Sequence, residues 1–181
     1  MSVSDAGSIR LATWNLEWAP TSRRERIVER IALLAPDILG ATEADREILP
    51  SGGHVAQCEA DSGYGVVRGR RKVILWSRWP LEEVDPRGSG ELPPGRFVAA
   101  TSHTPHGPLR LIGVCIPWRD AHVRTGRRDQ TPWQEHLQHL SALGPLLAGR
   151  DHRLPTLVDR LDSAGRPLSD HDAVVATVSG L

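Results

Sequence analysis

Four polar residues fall where the hydrophobic pattern of the chain changes from strand to loop, and their types suit chemistry on phosphate: Asn15, Glu43 and the adjacent pair Asp170 and His171. Magnesium prefers carboxylate and water oxygens in octahedral geometry and binds through one or two carboxylates plus substrate phosphate, a role open to Glu43. An aspartate next to a histidine suits an orienting carboxylate and an imidazole that hydrogen-bonds a phosphoryl oxygen or transfers a proton. The Asn15 amide can hold a water or a phosphate oxygen. Taken singly, each has a structural reading as well: Asn15 capping a turn, Glu43 as a solvated loop acid, Asp170 capping a turn beside a surface histidine.

The elements that must position these residues follow from periodicity. Residues 9–15 alternate as a strand ending at Asn15. From Ser22 to Ala35, Ile27, Ile31 and Leu34 recur at helical spacing, Ser22 and Glu25 form a capping-box pattern, and Pro36 stops the helix. The short apolar run 37–41 then reads as a buried strand that delivers Glu43 just beyond its end. Segments 64–68, 72–77, 96–102 and 109–116 look like strands separated by turn residues, and a run of strands without helices implies antiparallel pairing. A second helix opens at Thr131, Pro132 and Gln134 and keeps Trp133, Leu137, Leu140, Leu143 and Leu147 on one apolar face, with a kink expected at Gly144 and Pro145. Segments 154–158 and 173–178 read as strands, the latter directly after Asp170 and His171.

With 181 residues, the chain is expected to form a single domain over 1–181 of the α/β class, two sheets with helices outside. The 22 basic and 22 acidic residues cancel to a formal net charge of +0. No global field draws polyanions in, which argues against a dedicated duplex-DNA enzyme, so phosphate recognition must be local. Lys72 is the sole lysine among arginines, whose planar fork fits phosphate. The arginine groups 23–26, 68–71 and 124–128 could rim a phosphate site, although such runs are usually solvated faces. Cys58 and Cys115 make no disulfide scaffold, which points to a reducing compartment. The polar stretch 1–9 has no secretory pattern and no run approaches transmembrane length, so a cytoplasmic protein without membrane contact is expected.

Three stretches resemble, in order, motifs of the metal-dependent endonuclease/exonuclease/phosphatase superfamily: Leu-Ala-Thr-Trp-Asn-Leu at 11–16, Pro-Asp-Ile-Leu-Gly-Ala-Thr-Glu at 36–43 and Leu-Ser-Asp-His-Asp-Ala-Val-Val at 168–175. The resemblance implies a two-sheet β-sandwich flanked by helices, four layers in α/β/β/α order, with the active site at one end between the sheets. It implies Glu43 as a ligand of Mg2+ or Mn2+, Asn15 holding metal or phosphate, His171 stabilising the attacked phosphoryl group, and Asp170 orienting His171. Of the six tryptophans, Trp14, Trp76 and Trp133 fit core positions. Trp18 and Trp118 lie beside site-forming strand ends and are the candidates to face a substrate. The substrate implied is a phosphate ester, with nucleic acid among the options, since relatives cleave DNA, RNA, phosphoinositides, sphingomyelin and nucleotides.

The chain departs from the family pattern twice. Cys115 stands where many relatives carry His, or Tyr in the abasic-site nucleases, and a thiol cannot reproduce those hydrogen bonds. After 154–158, the Gly-Asp-Phe-Asn motif and the segment that follows it in relatives are missing, so the fold is internally shortened. Positioning supplies about 7 to 11 kcal/mol in well-oriented reactions, so losing the groups assigned to the water and the phosphate predicts impaired turnover. The alternative is an inactive member that binds a phosphate ligand or a protein.

Overall fold

The computed structural model describes residues 8–148 together with the backbone of 158–159 and 173–179. The first strand, β1 (Ser8–Asn15), is followed by helix α1 (Thr21–Leu34) and by β2 (Ile38–Asp45). A single 3-10 turn at Arg46–Ile48 is capped by the Asp45 carboxylate, which accepts from Glu47 N at 3.1 Å. Five strands then run consecutively: β3 (His54–Gln57), β4 (Arg70–Ser77), β5 (Leu81–Asp85), β6 (Phe97–Thr104) and β7 (Gly107–Val114). Helix α2 (Gln134–Leu147) and the strands β8 (Val158–Asp159) and β9 (Ala173–Ser179) complete the described elements.

Two sheets form, one of six strands in the order β3-β4-β2-β1-β9-β8 and one of three in the order β5-β6-β7. The period-2 alternation of side chains in β4 explains how they stack. Ile74 and Trp76 join Ala12, Trp14, Leu39 and Ala41 under Ile27, Ile31 and Leu34 of α1. Val73 and Leu75 point the other way, into an inter-sheet core with Cys58, Val98, Ala100 and Cys115. On the outer face of the smaller sheet, Phe97 and Ala99 pack on Ala142 and Leu143 of α2. The order is therefore α1, large sheet, small sheet, α2: the expected four-layer sandwich. Within the inter-sheet core, a Cβ on Gly113 would meet Val73 Cγ1 at 2.7 Å, so the bare backbone of a glycine is what allows the close approach there.

Several local expectations are corrected. Residues 64–68 form no strand: Gly63 and Gly69 take left-handed φ values of 77° and 83°, and Val66 and Val67 are exposed. The strands β3 and β5 were not signalled, because one is very short and the other, Leu-Glu-Glu-Val-Asp, carries charge and a register shift. Helix α1 begins at Thr21 after Pro20 with no side-chain cap, so the Ser22–Glu25 box is unused. In α2, Thr131 N and Oγ1 do bond Gln134 Oε1, at 2.9 and 3.0 Å, yet the helix starts at Gln134 and passes through Pro145 as one element. Its buried positions are Glu135, His139, Ala142 and Leu143, whereas Trp133, Leu137 and Leu140 are exposed. The N-terminal part of the expected apolar face, Trp133, Leu137 and Leu140, is turned outward where Glu135 is drawn inward to Arg96, so Trp133 is not a core residue, while Leu143 is buried and Leu147 packs beside it as expected. Trp14 and Trp76 are buried as expected.

Candidate active site

Strand directions bring the candidate residues to one end of the large sheet. Strands β1 and β2 are parallel, with Asn15 opposite Thr42, so Asn15 and Glu43 share the C-terminal ends of neighbouring strands. Strand β9 is antiparallel to β1, with Val174 opposite Thr13, so its first residues lie at this same end. Asp170 and His171, which precede β9 in the sequence, are outside the described residues, as are 154–157 of the expected strand 154–158.

The turn after β1 is strained. Glu17, Trp18 and Ala19 have φ values of 45°, 65° and 42°, and such left-handed non-glycine residues persist only where surrounding contacts impose them. Those contacts are present. Asn15 Oδ1 accepts from Glu17 N at 3.1 Å, Leu16 N donates to Thr42 O at 2.9 Å, and Trp18 N donates to Glu43 O at 2.6 Å. Glu43 is itself left-handed at φ 48° within β2. The turn thus ties Asn15, Trp18 and Glu43 into one backbone unit.

Across from Glu43 stands Lys72 of β4. Its Nζ lies 2.7 Å from Glu43 Oε1, 4.8 Å from the centroid of the Trp18 ring and 5.1 Å from that of Tyr64. Arg70 also lies over Trp18, at 5.7 Å. The Lys72 and Glu43 side chains are 11% and 24% exposed, so the pair is partly withdrawn from water. Tyr64 in turn packs on His122, with ring centroids 4.3 Å apart. His122 is fully buried. Its Nδ1 accepts from Arg127 N at 3.2 Å, which leaves Nε2–H to donate to Ser62 O at 2.9 Å. Burial, reinforced by Arg127 and Arg96 against the opposing pull of Glu135, lowers the pKa of His122.

Beneath this lies a buried ion pair, Arg96 Nε to Glu135 Oε1 at 3.1 Å, with both side chains 2% exposed. Arg96 Nη1 also donates to Cys115 O at 3.4 Å, and Glu135 Oε2 accepts from Arg127 Nη2 at 3.1 Å. Cys115 is a buried free thiol whose pKa is raised by desolvation, with Arg96 and Lys72 acting the other way. It behaves as the small hydrophobe expected at this position.

Trp118 is 58% exposed, and Trp18 is half-buried against Lys72. Sequence reasoning singled out Glu43 but not its partner, nor Tyr64, His122 or the Arg96–Glu135 pair. The available signal was the solitary lysine. The arginine groups behave partly as surface pairs: Arg23 bonds Glu17 at 2.8 Å, Arg24 bonds Glu47 at 2.8 Å, and Arg127 reaches Asp129 at 3.1 Å.

The implied Mg2+ or Mn2+ can be tested against this geometry. The Glu43 carboxylate is engaged by an ammonium at contact distance, and among the described residues no group of three or more His, Cys, Asp or Glu could hold a metal. With the Lys72 ammonium at its oxygen, the Glu43 carboxylate as arranged does not fit a divalent ion. Among them, no helix is long and apolar enough to cross a membrane.

The sequence pattern of the Endonuclease/Exonuclease/phosphatase family matches residues 12–171. Similar solved structures include the endonuclease domain of TRAS1, a telomere-specific non-LTR retrotransposon, with a TM-score of 0.52 and 15% identity over 95% of this chain and 98% of that one. TDP2 from C. elegans gives 0.61 and 12% identity over 96% of this chain and 75% of that one. The 3' phosphatase NExo from Neisseria, solved bound to a product DNA hairpin, gives 0.51 and 22% identity over 75% of this chain and 49% of that one. No curated protein matches in sequence.

Proposed function

Because the chain belongs to the Endonuclease/Exonuclease/phosphatase family, we propose that it acts on phosphate esters at the strand end that carries Asn15 and Glu43. The observation that supports this reading most directly is the register of β1, β2 and β9, which puts two candidate residues, and the start of the strand that follows Asp170 and His171, at one end of one sheet. In this reading the Asn15 amide holds a phosphoryl oxygen. His171 donates to the attacked phosphoryl group, Asp170 orients that imidazole, and exposed Trp118 offers a face to the substrate. Nucleic-acid ends are the first substrates to try, given the DNA-bound 3' phosphatase among the similar structures.

A second reading, phosphate-ligand binding without turnover, is favoured by the engagement of Glu43 with Lys72 and by the missing Gly-Asp-Phe-Asn motif. Both readings are tested by titrating inorganic phosphate against the protein amides and by following bis-para-nitrophenyl phosphate with and without millimolar magnesium. Shifts at the Asn15 and Glu43 end, weakened in Asn15→Ala, support a phosphate site, and their absence at saturating phosphate overturns it. Grafting a relative's segment, from Gly-Asp-Phe-Asn through its next Asp strand, between Val158 and Asp159 separates the two. Turnover that rises only in the graft marks the native chain as a binder, whereas equal turnover shows that another group replaces the motif.

A further inference from the structure

Lys72 is placed opposite Glu43 by the sheet itself: Thr42 pairs with Val73 and Ala44 with Arg71, which sets residues 43 and 72 across from each other. A surface ion pair between long side chains is ordinarily loose. This one is fenced by two aromatic rings, and aromatic faces attract a cation while excluding water. Both rings are held in turn, Trp18 by the strained turn whose N–H donates to Glu43 O, and Tyr64 by the buried His122 ring. A lysine head is a compact, strongly localised charge with three donors, closer to a small metal cation than a planar guanidinium is. In a chain whose other cations are arginines, that one compact charge sits 2.7 Å from the carboxylate oxygen that the motif resemblance assigns to a metal.

We propose that Lys72 is the resident cation of this site, its ammonium standing at Glu43 in place of a divalent ion and binding phosphate oxygens without metal. The inference rests on reading this strand end as a phosphate site. Glu43 takes one N–H of the ammonium and holds it in position, and a phosphate oxygen takes another. A divalent ion at the same carboxylate would lie within a few ångströms of the ammonium, where two cations repel strongly.

The test uses the solitary lysine. Protein labelled with 15N at lysine Nζ gives a single side-chain ammonium signal, followed in EDTA during titration with inorganic phosphate and separately, without chelator, with Mn2+. Phosphate should shift the signal in EDTA, and millimolar Mn2+ should broaden it no more in the native protein than in Glu43→Gln. Lys72→Met should bind Mn2+ about tenfold or more tighter than the native chain, a gain of roughly 1.4 kcal/mol, and Lys72→Met/Glu43→Gln should lose that gain. Equal Mn2+ affinity of the native chain and Lys72→Met, with the native lysine signal quenched, would overturn the proposal. If Lys72→Met fails to fold, the Mn2+ titration of the native protein decides alone. A phosphate shift that requires added magnesium removes the metal-free claim but leaves the phosphate site standing. No shift with or without magnesium removes both.

Discussion

His139 lies on the inner face of α2 with its ring fully buried, and among the described residues neither ring nitrogen has a hydrogen-bond partner. Burial first, then the charges of Arg96 and His136, lower its pKa to about 4. In the unfolded chain the same imidazole titrates at about 6.5. Between these values the unfolded state binds the proton that the folded state refuses, so acid favours unfolding. The stabilising contribution is fully present above about pH 6.5, declines as pH falls, and levels off below about 4. With these two pKa values, lowering the pH from 7 to 5 costs on the order of 2 kcal/mol, a large part of a typical folding free energy of about 5–15 kcal/mol. The lowered pKa of His122 adds in the same direction. Urea unfolding of the native chain and of His139→Met, measured at intervals from pH 7.5 to 4.5, isolates the effect of the one ring. The native curve should fall more steeply than the variant's by about that amount between pH 7 and 5. Parallel curves would mean that His139 accepts a proton inside the fold, and the reasoning from burial would be wrong.

Other packing features make similarly sharp predictions. Glu135→Leu leaves the Arg96 guanidinium buried and unpaired and should destabilise by about 3–5 kcal/mol, whereas Arg96→Met/Glu135→Leu should recover most of that loss in chemical denaturation. Gly113→Ala drives a methyl against Val73 between the sheets and should cost about 1–3 kcal/mol, read as a lower midpoint in thermal unfolding at unchanged secondary structure.

The architecture was legible in the sequence where local and global signals agreed. Ile27, Ile31 and Leu34 announce one buried face and bury it, and the apolar run in 72–77 reads as a strand, which the structure packs on both faces, one under α1 and one against the small sheet. The end of β1 at Asn15 was readable for the same reason, whereas β2 runs on to Asp45, two residues past Glu43. Signals failed where a tertiary contact overrode them. Val66 and Val67 suggest a strand, but flanking left-handed glycines turn the chain away. Leu137 and Leu140 suggest a buried stripe, but an ion pair turns it outward. The Lys72–Glu43 pairing depends on the register between strands almost thirty residues apart, and the Tyr64–His122 contact joins two loops. Neither has a local signature. Asp170 and His171 lie outside the described residues, so their part in the site rests on sequence.

The outward stripe of α2 also bears on how the helix chooses its orientation. An α-helix of this composition has two ways to lie on a sheet, and rolling Leu137 and Leu140 inward would satisfy hydrophobicity alone. That competing docked state would carry Glu135 away from Arg96 and strand a guanidinium in the interior, a penalty of several kcal/mol. The charge pair therefore acts as a rotational key. It selects one azimuth of the helix among near-equals, and it does so by making the wrong one costly more than by making the right one strong. With the key removed from both partners, α2 should remain helical and attached while losing its single orientation. Side-chain signals from Leu137, Leu140 and Leu143 would then broaden or double, although overall stability changed little.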